Sequence, residues 1–141
     1  MLVNIHLYDA LARRAAFPIY QRYGINRFEL WMLSALVGYL SSKEATIVSK
    51  IDFFKFLSGN WNTRKKQEGY FHGLLSKQFI GQYEYVMKPG SQSIGLSSLG
   101  VRVMRDYLGS IDEFMKRYTK HNSIAITISE AKPGTKHRLT A

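Results

Sequence analysis

Three cations in succession, Arg64-Lys65-Lys66, follow Asn62-Thr63 and precede Gly69 and His72. Lysine and arginine neutralise phosphates and release condensed counterions, which gives affinity for a nucleic acid without sequence information. At the start of a helix lying in a major groove, side chains of these types reach base edges, arginine pairing with guanine and asparagine with adenine. Asn62, Thr63, Arg64, Lys65, Lys66, Gly69 and His72 are therefore the candidates for contact with double-stranded DNA. A solvated helix face would carry the same triplet. Its position between a helix-turn and a hairpin favours the phosphate reading.

The helix that must carry these residues opens on the capping and turn residues Asn60-Trp61-Asn62-Thr63 and is expected to stop near Gln78. Helical spacing turns Gln67, Tyr70, Phe71 and Leu74 inward. Asn62, Lys65, Gly69, His72 and Ser76 then fall on the opposite face, with Lys66 and Gly73 at its edge. Trp61 suits a lid on the core better than a DNA contact. Glycines at 69 and 73 each weaken a helix by ~1 kcal/mol, a cost explained by close approach of another backbone, of DNA or of protein, or by packing.

The flanking segments supply the rest of a helix-turn-helix. Asn26 is an N-cap with Glu29 three residues on, the pattern of a capping box. Phe28 to Leu40 is apolar on nearly every side, as a central buried helix would be. Thr46 is expected to cap a short helix that turns Ile47, Val48, Ile51, Phe54 and Leu57 inward and leaves Lys50 and Lys55 more exposed. Ser58-Gly59-Asn60 turns into the basic helix. After that helix, Phe79 to Met87 alternates in part, and Lys88-Pro89-Gly90-Ser91-Gln92 has the composition of a hairpin turn. Lys88, Ser91 and Gln92 join the DNA-contact candidates from this wing. Ser93 to Leu96 returns, and Ser97 caps the next helix.

Residues 24–97 thus form a winged-helix core inside a single domain of 141 residues. The fold class is mainly α with a small β-hairpin (α+β), a winged helix-turn-helix flanked by N- and C-terminal dimerisation helices over 5–23 and 98–118. Pro18 either kinks the first helix or starts a second one, and residues 3–7 alternate well enough for a brief strand instead. The stripe of the last helix exceeds what a lone domain needs, and apolar stripes find partners. Leu7, Leu11, Val103, Leu108, Ile111, Met115 and Tyr118 are the expected homodimer interface. In the tail, 119–141, residues 123 to 129 alternate strictly like a strand, to pair with a partner's edge or with residues 3–7, and residues 130 to 141 resemble a basic arm.

Composition narrows the chemistry. Twenty Lys and Arg against ten Asp and Glu give a net charge of +10, which favours polyanions, nucleic acid before an acidic membrane surface. A hydrophobic fraction of 45% supports a packed core. Cysteine is absent, so there is no disulfide framework, zinc–thiolate site or thiol nucleophile. His6, His72, His121 and His137 show neither metal spacing nor a triad, and no glycine-rich phosphate loop precedes a helix. No enzyme activity and no cofactor is expected. The start lacks the features of a signal peptide, and the apolar run Leu30 to Leu40 is short of the ~18 residues of a membrane span. No membrane partner and a cytoplasmic location are expected. RNA-binding platforms are not visible.

The chain resembles the MarR family of bacterial transcription regulators. Gly24-Ile25-Asn26 with Trp31, Leu33 and Leu36 is similar to that family's first winged-helix helix. Leu74 to Ile80 resembles the end of its recognition helix and start of its wing, with Gln78 where glycine is usual. Ile94 to Gly100 resembles the return strand and the cap of its long dimerisation helix. The wing departs from the family in carrying Lys88 to Ser93 without the usual acidic residue and arginines. The resemblance covers 24 to 118 and implies a sequence-specific transcriptional regulator, a repressor, bound as a dimer to a palindromic operator. It also implies a small aromatic ligand in a cavity among Tyr8, Phe17, Tyr20, Tyr23, Trp31 and Tyr39, for which plain core packing is the simpler account. The rival function is a winged helix used for protein contact or as an accessory factor of a DNA-processing complex.

Overall fold

The computed structural model describes residues 5–58, 61–118 and 128–140, with only the backbone of Ile5, Trp61, Asn62 and Tyr118. In chain order the elements are α1 (Ile5–Tyr23), α2 (Arg27–Ser42), β1 (Val48–Ser49), α3 (Lys50–Leu57), α4 (Trp61–Ser76), β2 (Ile80–Tyr85), β3 (Lys88–Leu96), α5 (Ser98–Tyr118) and β4 (His137–Leu139). The strands form one antiparallel sheet of order β1-β3-β2-β4. This is the mainly helical winged architecture expected, with two strands added to the hairpin.

The core is centred on α2. Met32 and Leu33 are fully buried, and Leu30, Leu36, Val37 and Leu40 are nearly so. Its start is the expected capping box: Glu29 N donates to Asn26 Oδ1 at 2.8 Å and Asn26 N to Glu29 Oε1 at 3.0 Å. Phe53 and Phe54 from α3, Phe71 and Leu74 from α4, and Ile94 and Leu96 from β3 close over it. Ser97 caps α5 as expected, accepting from Gly100 N at 3.0 Å. Gln78, at the glycine position, takes φ +64, the left-handed conformation that disfavours a side chain.

Several boundaries differ from the sequence expectation. The helix α1 has the expected bounds, Ile5–Tyr23, which excludes the alternative of a strand through residues 5–7, but it is a single helix through Pro18 and no second helix starts there. The α3 cap is Ser49, not Thr46; Asp52 N donates to Ser49 Oγ at 3.4 Å. Val48 and Ser49 instead pair with Ile94 and Ser93, so the sheet takes residues that the helical pattern had claimed. Ile51 consequently points outward, 62% exposed, while Phe53 and Phe54 fill the core. The hairpin turns at Val86-Met87 and not over 88–92. Glu84 pairs with Gln92 but Tyr85 with Lys88, which leaves Pro89-Gly90-Ser91 as a bulge held by Ser91 Oγ, accepting from Tyr85 N (3.2 Å) and donating to Lys88 O (2.8 Å). The Pro-Gly chemistry serves this bulge rather than the turn.

The last helix does not leave its stripe open. Leu11 and Ala15 of α1 pack on Ile111 and Met115 of α5, all four buried, and Val103 is fully buried. The apolar surface expected to need a second chain is covered within this one. Leu7 and Leu108 are half-buried, and the Tyr118 side chain lies outside the described residues. Residues 123–127 of the expected strand also lie outside them, and Ile128 and Ser129 are in no strand. The basic arm is not an arm: its residues 137–139 form β4 on the edge of β2.

Candidate nucleic-acid interface

The helix α4 is fixed from its inner side. Gln67, Phe71 and Leu74 are buried, and Tyr70 stacks on Phe28 with ring centroids 4.9 Å apart. Gln67 Nε2 donates to Ser58 O at 3.3 Å, tying the helix to the end of α3, while Gln67 Oε1 is buried without a hydrogen-bond partner. Just past its C-terminal end, Lys77 Nζ donates to Glu29 Oε1 at 2.7 Å and to Gly24 O at 3.0 Å. A helix held along one face presents the other without room to roll.

That outer face carries Thr63, Lys65, Lys66, Gly69, His72 and Ser76, all exposed. Asn62 has no described side chain. The cationic triplet is divided. Arg64 is half-buried, its guanidinium 4.4 Å from the centroid of Phe54 and its Nε 3.5 Å from Glu68 Oε1. Lys50 approaches the same carboxylate at 3.9 Å and lies 4.7 Å from the Phe71 ring. Glu68 thus draws two cations to the flank of the helix, and Lys65 and Lys66 are the pair turned outward. Gly73 belongs to the inside as well: a Cβ there would lie 2.0 Å from Glu29 Oε2, whereas Gly69 has open space.

On the wing, Lys88 and Gln92 are exposed, and Ser91 is engaged in the bulge. Val86 and Met87 at the tip are exposed, Met87 almost wholly. Between α4 and the sheet runs a groove of about 810 Å³, lined by His72 and Ser76 on one side and by Gln82, Gln92 and Thr140 on the other. Burial pushes the pKa of the Tyr83 hydroxyl, which lies over Gly81, up, and the Glu130 charge adds to the shift. Lys136, in the turn before β4, and Arg138, on β4, stand beside the wing and are site neighbours expected to lie in a free arm. Their signal was Pro133-Gly134 before a short polar run; the partner strand lies more than fifty residues away.

The aromatic residues proposed to line a ligand cavity are dispersed. Tyr8, Phe17 and Trp31 are exposed, the Tyr23 hydroxyl bonds to Asp106, and Tyr39 packs on Phe53 and Phe56. No group of three or more metal-binding side chains occurs among the described residues. No helix among them is long and apolar enough to cross a membrane.

No protein-family model matches the sequence, and no curated protein does so at significance. Among solved structures, the chain is similar to a mutant of S. aureus MepR bound to an oligodeoxyribonucleotide, with a TM-score of 0.59 at 17% identity, over 87% of this chain and 86% of that one. A likeness over that share of the chain extends beyond the winged core of 24–97, and the chain therefore has the MarR-like winged-helix fold.

Proposed function

We propose that this protein is a sequence-specific, double-stranded DNA-binding transcriptional regulator, a repressor that acts on a palindromic operator as a homodimer. The observation that carries this reading is the outer face of α4. Lys65, Lys66, Gly69 and His72 are exposed on a helix whose opposite face is locked into the core, beside a wing bearing Lys88 and Gln92. Lysines set on such a face meet phosphates, and the neighbouring helix positions read base edges. A MepR chain of this fold was solved bound to an oligodeoxyribonucleotide, which supports the same use of the fold here.

The side-by-side pair α1 and α5 supports the dimer reading. Leu11, Ala15, Ile111 and Met115 hold that pair together internally, with Leu7 and Leu108 packed against them, so a two-fold contact uses the outer surface of the pair, including the half-buried edges of Leu7 and Leu108 and the exposed Phe17. Two copies of α4 would then face successive major grooves about 34–36 Å apart. Sedimentation of the protein at tens of micromolar is expected to give roughly twice the 16.2 kDa chain mass; a monomer would remove the palindromic site with the dimer. For DNA binding itself, a gel shift with random-sequence duplex across a salt series should show affinity falling steeply as salt rises. An absence of binding at low salt would favour the rival reading, a winged helix that contacts proteins.

A further inference from the structure

A two-stranded wing makes no use of the C-terminal segment, yet that segment is built into the sheet. Ala131 N donates to Leu96 O, and Lys132 N to Thr46 Oγ1, both at 3.0 Å. Ala131 also covers Gly95, where a Cβ would come within 2.6 Å of it. After Gly134 at φ +65 the chain turns at Thr135-Lys136 and runs antiparallel along β2, pairing Tyr85 with His137, Glu84 with Arg138 and Tyr83 with Leu139. Val86 N donates to Lys136 O at 3.0 Å, and Thr140 N and Oγ1 each donate to Gln82 O at 2.8 Å. The rings of Tyr85 and His137 lie 4.2 Å apart. These bonds close the edge of the wing.

The register decides which side chains face the DNA side. Alternation along a strand puts every second residue on one face. Ile80, with Leu96 and Ile94 beside it on β3, turns into the core against Phe71 and Leu74 of α4, so Gln82 and Glu84, the next positions of the same parity, and Arg138, paired with Glu84, share the face of the sheet that α4 lies on. Gln92, paired with Glu84, is there too. Glu84 is the one carboxylate in β2 and β3, and Arg138 Nη2 lies 3.2 Å from its Oε1. Without β4 this face would offer a phosphate an uncompensated negative charge. With it, the charge is matched by an arginine still 61% exposed, and exposed Lys136 stands near the hairpin tip with Lys88. Glu130, which also lines the groove, is the acidic group facing it from the tail.

We propose that β4 is a working strand of the wing, in which Arg138 neutralises Glu84 and, with Lys136, meets the phosphate backbone of duplex DNA beside the groove that α4 occupies. This rests on the DNA-binding reading above and adds a surface to it. The contact is to phosphates, so it raises affinity for all duplex sequences alike. The test compares the unmodified chain, Lys136→Ala, and the double variant Lys136→Ala/Arg138→Ala on one random-sequence duplex across a salt series. Lys136 holds β4 only through its backbone, so its replacement keeps the fold. Each lost phosphate contact lowers the salt slope by about 0.9. The double variant should therefore lose about 1.8 in slope, a change of roughly twelvefold in the affinity ratio between about 50 and about 200 mM salt. Glu84→Gln placed on Arg138→Ala should recover part of the affinity. Variants that keep the full slope of a salt-sensitive parent would overturn the role of β4 alone. A parent without salt-sensitive binding would overturn the DNA reading and this inference together.

Discussion

Lys77 Nζ lies 2.7 Å from Glu29 Oε1, joining the end of α4 to the start of α2, and the carboxylate it grips is also the reciprocal half of the Asn26 capping box. The Glu29 side chain is only 4% exposed while that of Lys77 is 40% exposed. One buried acid thus caps the start of α2 and holds the end of α4, with Gly73 leaving room for it. Removing one partner of a buried pair costs about 3–5 kcal/mol, and the solvent at Lys77 reduces this to about 1–3 kcal/mol. Lys77→Ala should lower the melting temperature accordingly. Gly73→Ala should also lower it, despite the ~1 kcal/mol that alanine adds to a helix. Thermal melting by circular dichroism checks both, and a rise in either would contradict the latch.

The neighbouring glycine behaves oppositely. A Cβ at Gly69 meets nothing within 4 Å, so Gly69→Ala should stabilise the fold by up to ~1 kcal/mol. On the DNA-binding reading the added methyl lies against the duplex, and affinity should fall. Higher stability with unchanged affinity would take Gly69 out of the interface.

Arg64 and Lys65 adjoin in sequence but part in space. Arg64→Ala removes the stack on Phe54 and the pair with Glu68, and should cost about 1 kcal/mol of stability with little change in salt slope. Lys65→Ala should leave stability within about 0.5 kcal/mol and lower the slope by about 0.9. Equal slope losses would show that Arg64 swings out to a phosphate when DNA binds.

Where α1 meets α5, burial pushes the pKa of the Tyr107 hydroxyl up to about 12, with Tyr8, Tyr20 and Asp9 adding to the shift. The unfolded phenol ionises near 10, so between about pH 10 and 12 the unfolded chain binds fewer protons than the folded one. Stability must fall as pH rises through that window. Tyr107→Phe removes this contribution and should move alkaline unfolding to higher pH, as read by circular dichroism. An unchanged alkaline midpoint would place the Tyr107 hydroxyl in water.

The sequence carried the local features well. The cap at Asn26 with Glu29, the cap at Ser97 and the inner face of α4 through Gln67, Phe71 and Leu74 all depend on neighbours within a turn or two, and each is found as expected. Features fixed by distant partners were not legible. Val48 and Ser49 look helical until Ile94 and Ser93 pair with them, which moves the cap from Thr46 to Ser49. Pro89-Gly90 has turn chemistry, but the register against β2 places it in a bulge. Residues 137–139 show no strand pattern strong enough to announce β4, because the edge of β2 supplies what their own alternation lacks. At the site, spacing placed Lys65, Lys66 and Gly69 outward. It did not reveal that Glu68 and Phe54 draw Arg64 aside, or that Glu29 claims the space at Gly73.

The central claim is that DNA is met by the outer face of α4. Fluorescence anisotropy of a labelled random-sequence duplex, titrated with the unmodified chain and with Lys65→Ala/Lys66→Ala at several salt concentrations, tests it most directly. The account predicts a steep salt slope for the unmodified chain and one smaller by about 1.8 for the double variant, with melting temperatures alike. Equal slopes for two equally folded proteins would contradict it.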